Sequence, residues 1–208
     1  MKDYIDISWP ISNEVTTYKD KRDVRVGFVK HFDRDNVNES RLELGGHTGT
    51  HVDAPLHFAK SRKSISELDL RSVNGKCVVL DFTNVKEKIT SKDLEGKEIS
   101  KEDIVILKTS NSNLPAEGQF EPNFVYLDKS GAEFLAKLRV RAVGIDYLGI
   151  ERNQPAHETH ITLFNAGAWV IEGLRLKEVE AGNYYLHCMP LLVMGMEAAP
   201  ARAILIKQ

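Results

Sequence analysis

Gly45-Gly46-His47-Thr48-Gly49-Thr50-His51-Val52-Asp53-Ala54-Pro55-Leu56-His57-Phe58 places three of the chain's seven histidines and an aspartate within eleven residues. Imidazole and carboxylate are ligands that Zn²⁺, Mn²⁺ and Fe²⁺ accept, and His-x₃-His-x-Asp offers three of them in one short span. On a helix His47 and His51 would share a face. Gly45, Gly46, Gly49 and Pro55 disfavour a regular helix and predict a folded loop in which several side chains converge. A polar surface loop, its histidines serving only nearby backbone groups, would show the same letters. The density of His and Asp favours metal binding or catalysis over that reading. It does not say which residue binds and which reacts, and a closed structural site stays open.

On either side of this stretch, alternation and short β-branched runs predict strands over 4–8, 24–32, 41–45, 76–82, 104–108, 124–128, 142–145, 168–172, 184–188 and 203–207. Helices are fewer. Ser130-Gly131-Ala132-Glu133 has a capping-box pattern ahead of Phe134, Leu135 and Leu138, and Thr90-Ser91-Lys92-Asp93 starts a shorter helix. The expected class is α/β, with few helices against a large sheet. Charges of both signs alternate between Lys86 and Asp103 around Gly96, the pattern of a solvated excursion with a turn and one helix face. No repeat, low-complexity tract or Pro/Gly/Ser-rich linker divides the sequence, and 208 residues suit one core, so residues 1–208 are expected to form a single domain.

Composition narrows the partners. Residues are 42% hydrophobic and 28% charged, the balance of a soluble globular protein. Twenty-eight Lys and Arg against 30 Asp and Glu leave a formal charge of −2, without the basic footprint that binding phosphate backbones demands. Nucleic acid is therefore not an expected partner. Cys77 and Cys188 sit in apolar runs and read as buried reduced thiols. The first residues, with Lys2, Asp3 and Asp6, hold no apolar leader segment, and no stretch approaches the length of a membrane span. The expected address is cytoplasmic, with no membrane partner.

A second region, Pro155-Ala156-His157-Glu158-Thr159-His160, resembles a zincin helix but fails the His-Glu-x-x-His spacing, because its second histidine comes one residue early. Downstream, alternation over 168–172 puts Glu172 on the face of Ala168 and Val170, where a buried carboxylate needs a cation or a donor. Alternatively, Glu172 ends an exposed strand before Gly173. The chain has no Gly-x-Ser-x-Gly elbow, Walker-type loop or Gly-x-Gly-x-x-Gly fingerprint. His31 and His187 lie in strand-like apolar runs and are left out of the site.

At His47, Gly49, Thr50, His51, Asp53, Pro55 and His57 the sequence resembles the cyclase family of metal-dependent hydrolases, which includes bacterial kynurenine formamidase and isatin hydrolase. The fixed positions of its signature, His-x-Gly-Thr-His-x-Asp-x-Pro-x-His, are all met. The likeness continues through 104–109, Val143-Gly144-Ile145-Asp146, the spacing from His160 to Glu172, and Ala199-Pro200-Ala201-Arg202-Ala203-Ile204. It implies a swivelling β/β/α-like fold and a homodimer or larger assembly. It also implies one metal ion held by His47, His51 and Asp53 and a second by Asp53, His160 and Glu172, with Asp53 bridging and His57 transferring protons. His160 is chosen over His157 because the family's ligand histidine precedes its ligand glutamate by twelve residues. An aromatic-Pro-Gly-Asp turn common in the family becomes Tyr18-Lys19-Asp20-Lys21, in which Tyr18 remains able to stack on a substrate ring. Gly195-Met196-Glu197-Ala198-Ala199-Pro200 likewise lacks the small Gly and Ser that relatives often show.

The expected activity is hydrolysis of a small amide C–N bond by metal-activated water, with zinc first and manganese next as the metal. The first substrate expectation is an aromatic amide, N-formylkynurenine. The alternatives are a cyclic amide or lactone, or a metal-binding protein without activity, in which His57 would have no role.

Overall fold

A computed structural model describes residues 4–58 and 63–207; Met1–Asp3, used above in reading the N-terminus, lie outside the described residues. In chain order its elements are β1 (Tyr4–Asp6), β2 (Arg25–Lys30), α1 (Phe32–Asp35), β3 (Glu39–Glu43), β4 (His51–Asp53), β5 (Asn74–Asp81), β6 (Lys88–Ile89), α2 (Ser91–Leu94), β7 (Ile104–Lys108), β8 (Tyr126–Leu127), α3 (Lys129–Leu138), β9 (Ala142–Ile145), α4 (Glu158–Asn165), β10 (Trp169–Glu172), β11 (Gly182–Pro190) and β12 (Ala198–Lys207). Single 3₁₀ turns punctuate the connections. The strand-rich α/β class agrees with the sequence expectation.

One eight-stranded mixed sheet runs in the order β1-β12-β11-β5-β7-β9-β10-β4. The strands β5, β7, β9 and β10 are parallel, and their short apolar runs are buried on both faces, as parallel strands require. β4 pairs antiparallel with β10 on one side and with the start of β12 on the other, through Ala198–Asp53, Ala199–Val52 and Pro200–His51. This second pairing closes the sheet into a barrel, with β1 laid against the far end of β12.

Alternation along each strand divides the core. Residues such as Val52, Val79, Ile104, Ile106, Ile171, Leu186 and Leu205 fill the barrel. Val78, Leu80, Val105, Leu107, Val143 and Val170 point outward into a second layer capped by Ala132 and Leu135 of α3 and Leu163 and Phe164 of α4. A third cluster of Trp9, Val15, Val24, Phe124, Tyr147 and Leu148 lies to one side. β2 and β3 form a separate two-stranded ribbon that is exposed along its whole length.

Four local expectations are corrected. The stretch around His51 is not loop throughout: after a turn at 47–50 it becomes β4, because Val52 can enter the barrel while its neighbours face out. The cap of α3 is Asp128, whose side chain accepts from the Gly131 N–H, so Ser130 lies inside the helix and not at its cap. The 86–103 segment is not only solvated surface: β6 and α2 bury Ile89 and Leu94 completely. Residues 158–165, passed over as a motif that failed, form α4.

Candidate metal centre and active site

Pairing between β4 and β10 sets His51 opposite Glu172 and Asp53 opposite Val170. With a side-chain period of two, His51, Asp53 and Glu172 all leave the barrel on its outer face, while Val52 and Ile171 point in. α4 crosses this face and delivers His160, and the turn before β4 delivers His47. Imidazoles and carboxylates distant in sequence thereby come together.

Backbone groups set the orientation of the rings. The ring Nδ1 of His51 lies 2.8 Å from the Gly49 carbonyl. A carbonyl can only accept, so Nδ1 carries a proton and Nε2 is the nitrogen turned toward the carboxylates, free to bind a cation placed between them. This geometry needs Gly49 at φ +59 packed against Gly173 at φ +69, where a Cβ on Gly173 would lie 2.2 Å from the Gly49 oxygen. Thr50 joins the two segments by donating to the Gly173 carbonyl at 2.5 Å. Glu172 is held by the Ile150 N–H at 2.7 Å.

Two groups result, His47 with His51 and Asp53, and Asp53 with His160 and Glu172. Nitrogen-to-oxygen separations run from 3.0 Å for His47 Nδ1 to Asp53, through 3.3 Å for His51 Nε2 to both Asp53 and Glu172, to 3.4 Å for His160 Nε2 to Asp53. Yet His51 Nε2, both Asp53 oxygens and both ring nitrogens of His160 are buried without a hydrogen-bond partner. Buried polar atoms left so are costly. Atoms that crowd together without pairing are arranged around common points, and the mixed His/carboxylate donor set fits a divalent cation there.

The charges agree. Burial opposes protonation of His51, but the Asp53 and Glu172 carboxylates outweigh it and push its pKa up to about 10. Burial and the Asp53 charge act to raise Glu172, but contacts from His160 and His51 prevail and hold it at about 2. The carboxylates thus stay ionised and call for positive charge, which imidazolium protons supply when no cation does.

His57, on the 3₁₀ turn Pro55–His57, belongs to neither group, although its ring centroid is 4.3 Å from that of His47. Burial, aided by the charges of His47 and His160, depresses its pKa to about 4 against the pull of Asp53, so its imidazole is neutral near neutral pH. Tyr18 stands on the 3₁₀ turn Tyr18–Asp20, edge-on to Phe120 with ring centroids 4.9 Å apart. Tyr18 and His57 line a cavity of about 450 Å³ whose wall also includes His47, Phe58, His160 and Glu172, a size that suits a small-molecule substrate. Sequence reasoning passed over Phe58, which stacks on His157 at 4.1 Å, and Glu151, a buried carboxylate between His157 and His160. No motif marks Glu151; its only trace is a charged residue directly after the apolar run ending at Ile150. His31 and His187 are exposed and take no part in the two groups.

A family model described as "Putative cyclase" matches residues 5–152. The chain belongs to the cyclase family. This cyclase-family chain is 30% identical over 206 residues to the kynurenine formamidase of Bacillus cereus, covering 98% of itself and 97% of that protein. Among solved structures, it is similar to a potential metal-dependent hydrolase with cyclase activity, at 38% identity and a TM-score of 0.90, covering 100% of this chain and 99% of the other. Isatin hydrolase A from Labrenzia aggregata shares the fold at a TM-score of 0.83 but only 18% identity, covering 98% of this chain and 93% of the other.

Proposed function

We propose that this cyclase-family chain, acting as one domain, is a metal-dependent amidohydrolase that opens the C–N bond of a small aromatic amide, N-formylkynurenine first. The observation that carries the reading is a pair of ligand groups, buried except for the partly exposed His47, that share Asp53 beside an aromatic-walled cavity, with a neutral histidine next to them that belongs to neither. His47, His51 and Asp53 would hold one divalent ion and Asp53, His160 and Glu172 a second, with zinc as the first choice and manganese next. When bound, such an ion supplies Lewis-acid polarisation of a carbonyl and lowers the pKa of water.

The remaining work falls to side chains. His57 faces the cavity as a neutral imidazole, suited to take a proton from the attacking water and return it to the leaving amine nitrogen. Tyr18 and Phe58 offer apolar ring surface for an aryl group, and the cavity opens onto His47, His160 and Glu172, toward which the amide would be oriented. The missing Pro and Gly at Tyr18-Lys19-Asp20-Lys21 favour a second reading, in which a cyclic amide or lactone is the better substrate.

In this reading the enzyme works in the cytoplasm, where the buried free thiols Cys77 and Cys188 stay reduced. It acts as a homodimer, with the exposed β2–β3 ribbon as the contact surface.

The test is metal analysis of purified protein followed by turnover on formanilide, N-formylkynurenine, isatin and an aryl lactone. Formamide hydrolysis abolished by a chelator and restored by Zn²⁺ or Mn²⁺ is expected. Full activity in metal-free protein, or no turnover with any metal restored, would overturn the proposal.

A further inference from the structure

Glu151 is 7% exposed, and both of its oxygens are engaged by histidines. Oε1 lies 2.5 Å from His157 Nδ1. Oε2 accepts from the backbone N–H of His160 at 3.2 Å and lies 3.2 Å from the ring Nδ1 of the same residue. One carboxylate oxygen therefore touches both the first turn of α4 and the imidazole that α4 carries. The far nitrogen, Nε2, points the other way, 3.4 Å from Asp53 and 3.3 Å from Glu172.

Two physical consequences follow. An ionised carboxylate beside Nδ1 favours the tautomer with the proton there, leaving the Nε2 lone pair directed at Asp53 and Glu172. The same carboxylate at the N-terminus of α4 satisfies a free N–H and pins the helix. The Nδ1 of His51 has a hydrogen bond to the Gly49 carbonyl for this purpose, whereas the Nδ1 of His160 has the Glu151 charge beside it at 3.2 Å, without a hydrogen bond.

We propose that Glu151 is a positioning residue for His160, acting through its ring Nδ1 to orient Nε2 as a ligand of the Asp53–His160–Glu172 site. This rests on the metal-centre reading above and adds a residue to it. His157, half-exposed and stacked on Phe58, shares the carboxylate but points into the cavity wall.

A helix cap alone would also explain the contact to the His160 N–H, so the test separates the two roles. Glu151→Gln keeps an oxygen acceptor for that N–H and loses the charge beside Nδ1. Zn²⁺ binding is measured by competition with a chromogenic chelator, with stoichiometry from elemental analysis and melting of the metal-free protein alongside. The expected result is two ions in the wild type and a second site weakened by about 10- to 100-fold in Glu151→Gln, with metal-free melting close to wild type. Glu151→Asp, which restores the charge on a shorter arm, should recover part of the affinity, and it carries the test if Glu151→Gln does not fold. Unchanged affinity at both sites in these variants would overturn the proposal and leave the metal-centre reading intact. A wild type that binds no second ion would overturn both.

Discussion

His57 and His47 are neighbouring imidazoles with different surroundings. His47 reaches Asp53 at 3.0 Å and Glu197 at 3.4 Å, whereas the His57 imidazole lies against the rings of His47 and Phe58 and, among the described residues, makes no ion pair. His57→Ala is therefore expected to keep its metal while turnover falls by about 10²- to 10⁴-fold, the usual contribution of a general acid or base. His47→Ala should lose metal first and recover activity in part when excess metal is supplied. Elemental analysis with initial rates decides it: loss of a full equivalent from His57→Ala would make His57 a ligand. His157 and His160 show the limit of sequence at this scale. Three residues apart, they lie 49% and 5% exposed in their side chains. Only family spacing, and nothing in their local sequence, distinguished them.

The start of α2 holds a capping box in which Asp93 Oδ2 accepts from Thr90 Oγ1 at 2.6 Å and from Thr90 N at 2.7 Å. The Thr90 side-chain bond is the main reason the Asp93 pKa falls below its usual 3.8. A depressed carboxylate contributes stability above its unfolded pKa and loses it as pH falls through the folded value. Asp93→Asn should therefore destabilise the metal-free protein near neutral pH by roughly 0.5–1 kcal/mol, within the range of lost caps, with the difference shrinking in acid as pH falls through the depressed pKa of the folded carboxyl. Denaturant titrations near neutral pH and in acid check this; an equal gap at both would remove the charge from the explanation. Thr90-Ser91-Lys92-Asp93 was readable because a cap is a local pattern. β4 was not, because a strand of only His51–Asp53 depends on partners at 170–172 and 198–200.

For the whole molecule, the two groups of buried ligands lie where β4, β10 and α4 meet, so metal should stabilise the folded state as well as serve the reaction. Ligands bound only by the native chain add RT ln(1 + [L]/Kd), about 4 kcal/mol at a thousandfold excess over Kd. Chelation should lower the melting temperature by several degrees, and readdition should restore it; an unchanged melting curve on verified metal loss would count against the buried site. Val26, Phe28 and Leu42 share one face of the β2–β3 ribbon and stand 37%, 58% and 57% exposed. An isolated hairpin is marginal in water. If this ribbon forms the homodimer contact, Phe28→Asp should convert a dimer to a monomer by light scattering without changing metal content. A dimer that survives Phe28→Asp would place the interface elsewhere.

The amino-acid sequence by itself determined the local features: the His-x₃-His-x-Asp donors, the strands at 104–108 and 142–145, and the apolar alternation that put Glu172 on one face with Ala168 and Val170. These depend on residue chemistry and short-range periodicity, which are present in any window of the chain. Tertiary structure decided the closure of the barrel, because Val52 pairs with Ile171 on one side and Ala199 on the other, across separations that no local pattern encodes. It also decided that α4 turns His160 inward against Glu151, while His157, just before the helix at φ 51°, lines the cavity wall. The direction of the His160 ring follows from packing Leu163 and Phe164 into the outer core, which fixes the rotation of the helix.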